Sequence, residues 1–254
     1  YPHLLKDIYL HLYSLILVMN KLNNEIIERF SRQILIDSIG INGQKKIIGA
    51  KALIIGCGGL GTSAAQYLSM TGVGHIGLVD DDTISLSNLN RQTLFTEKEI
   101  GKKKVNVLLD KLKKINSKAE IKKFNVRVNN TNIKQLANKY DYILDCSDNF
   151  TTRFLVNKFC HINKKILVTA ALQNFDVQAT ILKSWYKNDN PCYECFFPNS
   201  TDYPQDSCDE MGILASVAGL GGIFQANLLI NDILCKKKIT YNKLMLFSCS
   251  EFRM

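Results

Sequence analysis

Residues 51–61 read KALIIGCGGLG, an apolar run that ends in glycines at 56, 58, 59 and 61. A continuous apolar run of this length suits a strand buried on both faces, as in a parallel sheet. The spacing Gly56-x-Gly58-x-x-Gly61 then allows a tight turn, close approach of a phosphate to the backbone, and entry into a helix expected over 60–71. That helix start offers free N–H groups and the positive end of a dipole. HIGLVD at 75–80 reads as the next strand. Asp80 therefore falls about twenty residues past the loop, where a carboxylate can accept a hydrogen bond from a ribose hydroxyl. Strand, glycine turn, helix and acid together predict a nucleotide site.

The same alternation continues along the chain. A lysine-rich helix is expected over 102–116, EIKKFNV at 120–126 as a strand, and a short helix over 131–139. YILDC at 142–146 is a strand, 150–163 a helix and KILVTA at 165–170 a strand. Strands alternating with helices imply an α/β fold, with a mostly parallel sheet and helices on both faces. VQATILKS at 177–184 and KLMLFSCS at 243–250 are expected as antiparallel strands at one edge. Residues 24–48 suggest two short helices separated near Gly40 and Gly43. The polar segment 186–210, with Pro191, Pro198 and Pro204, reads as a long loop.

The chain has 254 residues, 46% of them hydrophobic and 22% charged, enough for one large α/β domain and too apolar for global disorder. Its net charge of +9 is spread over many segments. The lysine runs at 102–104 and 236–238 are short and read as solvated helix ends, so no nucleic-acid partner is expected. The apolar part of residues 1–18 is too short to span a bilayer, and 212–234 carries Gln225, Asn227, Asn231 and Asp232. The first is expected to be an extension of uncertain status and the second a buried helix, so no membrane span is expected. Residues 19–254 are expected to form a single domain, truncated at its C-terminus. Eight cysteines, several inside apolar runs, fit a reducing, cytoplasmic setting.

Glycine loop and acid alone fit NAD as well as ATP. The run DDDTISLSNLNRQTLF at 80–95 adds Asn88 and Arg91 beyond the ribose acid, and Lys104 follows at the next helix start. Two fixed cations offset the charge that builds when a phosphorus centre is attacked, a need that hydride transfer does not have. DCSDN at 145–149 places Asp148 and Asn149 at the C-terminal end of a strand, where open α/β sheets bind ligands. Asp148 there can hold Mg²⁺ against phosphates; taken alone, it could equally cap the helix that follows.

GCGGLG, DDDTISLSNLNRQTLF, GKKK at 101–104 and DCSDN, in this order, resemble the adenylating enzymes that activate ubiquitin-like proteins, nearest the MoeB, ThiF and HesA branch. The resemblance covers about residues 25–253 and implies a Rossmann-like fold. It implies ATP as substrate, with Gly59 and Asp80 at the adenosine part. Asp82, Ser87, Asn88, Arg91 and Lys104 would meet ribose or phosphates, and Asp148, beside Asn149, would hold Mg²⁺. Arg32, in ERFSRQILI, matches an arginine that reaches the neighbouring subunit's site, which implies a homodimer. The implied reaction is adenylylation of the C-terminal glycine of a small sulfur-carrier protein ending in Gly-Gly, for molybdopterin or thiamine biosynthesis. A sulfur donor such as a cysteine desulfurase or a rhodanese is then needed. The alternatives are an NAD-binding oxidoreductase and a catalytically silent binding subunit.

Cys208, in DSCDEMG, matches the cysteine that can carry the partner as a thioester or persulfide in this family. A nearby helix start would lower its pKa, and Asp206, Asp209 and Glu210 oppose that. Cys192 and Cys195 form a C-x-x-C pair in PCYEC, a spacing that suits half of a tetrahedral zinc site or a redox pair. The family completes such a zinc site with a second C-x-x-C just past the residues matching SEFRM. His3, His11, His75 and His161 are scattered, and none is expected to act as a base.

Overall fold

The structure, a computed structural model, describes residues 24–187, 189–198, 212–234, 241 and 243–254. The expectations for residues 1–18, for Cys208 and for the lysine run at 236–238 lie outside them.

Seven strands form one sheet: β1 (Lys51–Ile55), β2 (His75–Val79), β3 (Glu120–Phe124), β4 (Tyr142–Asp145), β5 (Ile166–Gln173), β6 (Asp176–Leu182) and β7 (Met245–Ser248). Their order across the sheet is β3-β2-β1-β4-β5-β6-β7. The first five are parallel, and β6 and β7 pair antiparallel at the edge. The order reverses direction between β1 and β4, which opens a crevice above the C-terminal ends of those two strands.

The helices are α1 (Asn24–Ile34), α2 (Gly40–Gly49), α3 (Gly59–Thr71), α4 (Lys104–Ile115), α5 (Ile133–Ala137), α6 (Phe150–Ile162), α7 (Tyr193–Phe196) and α8 (Ala215–Ile233). Successive residues of a strand point to opposite faces. Ala52 and Ile54 accordingly join a core with Leu60, Leu68, Leu108 and Leu229 on α3, α4 and α8. Leu53 and Ile55 join the other core, with Ile133, Val156 and Phe159 on α5 and α6. This two-sided burial is why KALII carries no alternating polar pattern.

Helix α8 packs tightly on α3. A Cβ on Gly222 would stand 2.4 Å from the Leu60 carbonyl oxygen, and the Ser63 hydroxyl donates to the Gly219 carbonyl at 2.8 Å. Two of the polar residues that distinguish α8 from a membrane span, Gln225 and Asp232, are buried and paired. Tyr142 donates its hydroxyl to Asp232 Oδ2 at 2.8 Å, and Lys183 Nζ lies 2.9 Å from Asp232 Oδ1. No helix among the described residues is long and apolar enough to cross a membrane.

Apart from small shifts at element ends, three features differ from the sequence expectation. The break between α1 and α2 lies at 35–39; Gly40 begins α2 with φ +54°, and Gly43 sits inside it, where a Cβ would come within 2.8 Å of Leu234 Cδ2. Strand β5 runs on to Gln173 and turns into β6 through Asn174 and Phe175, because Asn174 takes the left-handed conformation at φ 52°. The loop after β6 contains the short helix α7.

Candidate active site

A cavity of about 660 Å³ lies over the crevice between β1 and β4. Its volume is that of a pocket for a small ligand. The glycine loop forms its floor. Gly56 has φ +92°, and a Cβ there would stand 2.6 Å from the Cys146 carbonyl oxygen. The β1 and β4 turns thus meet backbone to backbone. Helix α3 starts at Gly59, which lines the cavity with Gly56 and Gly58. Gly61 is not on the wall; it sits below, where a Cβ would stand 1.9 Å from the Gly56 carbonyl oxygen. Gly61→Ala must therefore push the turn apart. Overpacking of this kind costs about 1–3 kcal/mol. For a chain of this size that lowers the melting temperature by roughly 2–12 °C, which a thermal melt of purified variant and parent measures.

Asp80 leaves the end of β2 and faces the loop. Its Oδ2 accepts the Cys57 N–H at 2.7 Å and its Oδ1 the Asp82 N–H at 2.8 Å. Burial raises its carboxyl above the usual range, while Lys104 and the two N–H bonds pull it back. Lys104, the first residue of α4 and only 6% exposed, extends Nζ to Asp82 Oδ2 at 2.8 Å. Arg91 is half-buried and donates Nη1 to the Ser87 carbonyl and to Asn90 Oδ1, each at 3.1 Å. Asn88 holds the turn itself, its Oδ1 accepting the Ser85 N–H at 3.2 Å. Ser87 is not on the wall; it contributes the carbonyl that steadies Arg91, while its Oγ lies 3.0 Å from Ser85 Oγ. Asp80, Asp82, Asn88, Arg91 and Lys104 all line the cavity.

Asp148 and Asn149, between β4 and α6, also line the cavity. The helix cap is Asn149, not Asp148: Asn149 Oδ1 accepts the Thr152 N–H at 2.8 Å. Asp148 is exposed at the cavity, and its Oδ1 accepts the Asn149 side-chain amide at 3.2 Å. The donor set suits a magnesium nucleotide: a hard carboxylate oxygen on one cavity with two cations and a glycine turn. Sequence reasoning missed Arg127, Arg153 and Asp176, which also line the cavity. Arg153 lies on α6, where its charge reads as a solvated face; only the fold shows it 6% exposed.

Arg32 stands exposed near the end of α1 and is not on the cavity wall of its own chain. Cys192 and Cys195 flank Tyr193, which does line the cavity; their Sγ atoms lie 3.7 Å apart, and the Cys192 N–H points to Cys195 Sγ at 3.4 Å. Two thiolates at about 2.3 Å from a tetrahedral zinc stand about 3.8 Å apart, so the pair fits half of such a site. Cys57, Cys146 and Cys160 are buried, and burial raises all three thiols. They are therefore poor nucleophiles near neutral pH. Neighbouring acids raise all three further, Asp80 for Cys57 and Asp145 for Cys146 and Cys160.

The comparisons with known proteins bear on this site. Residues 30–254 match the ThiF family. The chain is 37% identical over 231 residues to "Adenylyltransferase and sulfurtransferase MOCS3" of Culex quinquefasciatus, covering 90% of this chain and 52% of that protein. It thus spans about half the length of the curated relatives it matches. In fold it is similar to E. coli MccB solved with MccA-N7isoAsn, at a TM-score of 0.78 and 25% identity over 89% of this chain and 70% of that one. MccB solved with ATP gives a TM-score of 0.74 at 25% identity, over 89% and 70% of the two chains. The α/β architecture, the motifs and these matches agree: the chain belongs to the ThiF family.

Proposed function

We propose that this chain is an adenylyltransferase that uses ATP to activate the C-terminal glycine of a small ubiquitin-like sulfur carrier. The observation that carries the reading is the convergence of Arg91, Lys104 and Asp148 on one cavity with the Gly56–Gly59 turn and Asp80. ATP lies with its ribose hydroxyls toward Asp80 and its phosphates over the start of α3. A carboxylate oxygen of the carrier's last glycine attacks the α-phosphorus, an acyl-adenylate forms, and pyrophosphate leaves with the electron pair of the broken P–O bond. Arg91 and Lys104 stabilise the charge on the phosphoryl oxygens, and the chain's main task is to position the reactants. Mg²⁺, when bound, neutralises phosphate charge; Asp148 is the residue that would hold it.

The wider assignment follows the same reading. Arg32 serves the site of a second copy in a homodimer, and zinc sits on Cys192 and Cys195. Sulfur reaches the acyl-adenylate from a donor such as a cysteine desulfurase or a rhodanese. The relatives named for both adenylyl and sulfur transfer support a sulfur carrier as the partner, and the carriers of molybdopterin and of thiamine biosynthesis are the two candidates.

ATP–pyrophosphate exchange tests the proposal, with a purified carrier ending in Gly-Gly and the same carrier lacking its last glycine. Exchange is expected with the first alone. No exchange with Gly-Gly carriers, together with tight NAD binding, would overturn the reading in favour of an oxidoreductase. Cys208→Ala is expected to leave exchange within twofold of the parent while lowering sulfur transfer, since adenylylation needs no protein nucleophile. Loss of exchange in that variant would give Cys208 a different role.

A further inference from the structure

The loop that carries Asp148 is braced from beneath by a buried ion pair. Asp145 ends β4 with its side chain 1% exposed, and Arg153, whose side chain is 7% exposed, approaches it from the second turn of α6 at 3.7 Å. Every residue between the strand end and Asp148 is tied down. Asp145 Oδ1 accepts the Ser147 hydroxyl at 2.5 Å and the Ser147 N–H at 3.1 Å. Asp145 Oδ2 accepts the Thr169 hydroxyl at 2.9 Å. Arg153 donates Nη2 to the Ser147 carbonyl at 2.6 Å and Nη1 to the Ala170 carbonyl at 2.8 Å. From the other side, Gln225 of α8 donates to the Asp145 carbonyl at 2.7 Å and lies 3.2 Å from the Cys146 thiol. Beyond Asp148, the cap at Asn149 fixes the chain to α6.

Stability alone does not account for this arrangement. Removing two charges from water is costly, and well-packed apolar residues of similar volume often hold a fold as well or better. What an ion pair with satisfied hydrogen bonds adds is a single geometry. Here that geometry belongs to one exposed carboxylate at the cavity, one residue past the clamped segment. A guanidinium reaches two carbonyls and a carboxylate at once because its donors form a rigid fork, which an ammonium cannot reproduce.

We propose that Asp145 and Arg153 are a positioning pair: they fix the 145–147 backbone so that Asp148 meets the magnesium of the bound nucleotide. Thr169 completes the pair by holding the Asp145 carboxylate from β5. The inference rests on the assignment of Asp148 to Mg·ATP. Neither member of the pair is required to touch the nucleotide, and their effect is confined to the metal-dependent part of binding.

Calorimetric titration with ATP, with and without MgCl₂ and with no carrier present, separates these contributions. The parent is expected to bind ATP more tightly with Mg²⁺, and Asp148→Asn to lose that gain. Arg153→Lys is expected to lose at least fivefold of the magnesium-dependent gain. Thr169→Val, which removes one hydroxyl and nearly preserves volume at a residue not on the cavity wall, is expected to keep metal-free ATP affinity within twofold and to lose about threefold of that gain. If Arg153→Lys fails to fold, Thr169→Val decides alone. A full magnesium gain in the folded variants overturns the positioning role. So does an equal loss of affinity with and without Mg²⁺, which would mark a structural brace only. A parent that binds ATP but shows no magnesium gain overturns the Asp148 assignment and this inference with it. A parent that binds no ATP overturns the adenylylation reading itself.

Discussion

Arg91→Ala and Asp148→Ala are each expected to lower carrier-dependent ATP–pyrophosphate exchange at least tenfold, with the melting temperature nearly unchanged. Both residues line the same cavity, and the hydrogen bonds of their side chains share no partner. Arg91 is half-buried, and its Nη1 bonds go to the Ser87 carbonyl and Asn90 Oδ1. Those partners keep other access to water, so truncation leaves no buried group unpaired. Asp148 is exposed, and the helix cap belongs to its neighbour Asn149. Neither side chain is built into the core, so a loss of exchange would be a loss of charge stabilisation. Removing one such group costs about 10²–10³ in the most favourable sites, and tenfold is the floor for one partly open to solvent. Exchange assays at saturating carrier, paired with thermal melts, make the measurement. Near-parental exchange in both variants would show that the phosphates lie elsewhere.

The parts of this site that could be read from the sequence are those built by adjacent residues. KALII is buried on both faces, so its unbroken apolar run signals a central parallel strand. The glycine spacing is dictated by local geometry, with Gly56 at positive φ and Gly61 under its carbonyl. Asp80, Lys104 and Asp148 sit next to strand ends or helix starts, where α/β folds place ligand contacts, and Arg91 lies in the turn between β2 and α4. What stayed hidden depends on contacts between distant segments. Arg153 reads as a surface charge until β5 supplies the Ala170 carbonyl. Gly43 reads as a break until Leu234 is brought against it from α8. Asp176 reaches the cavity wall only because the two-residue turn at Asn174 places the start of β6 there.

Lys104→Met is expected to have the largest effect, a loss of exchange of about two to three orders of magnitude. Unlike Arg91, Lys104 is almost fully buried, and its ammonium serves two acids at once. It pairs with Asp82 at 2.8 Å and pulls down the carboxyl of Asp80, which burial raises. Methionine keeps the length of the side chain and removes the charge. The Asp80 carboxyl should then rise further, and this gives the variant a pH signature. A carboxyl whose pKa is raised by folding favours the folded state below its unfolded value, near 3.8, and loses that contribution as pH rises through its folded value. The stability deficit of Lys104→Met relative to the parent should therefore grow from acidic to neutral pH. Thermal melts of both proteins at pH 5 and pH 7.5 measure it. Nucleotide affinity should move in the opposite sense, because protonated Asp80 is a poorer acceptor for a ribose hydroxyl. On acidification, ATP binding by the variant should weaken at a higher pH than in the parent. A constant stability deficit across this range would mean that Lys104 acts on the phosphates without tuning Asp80, and Lys104→Arg, which keeps the charge, should restore the parental profile if it does tune it.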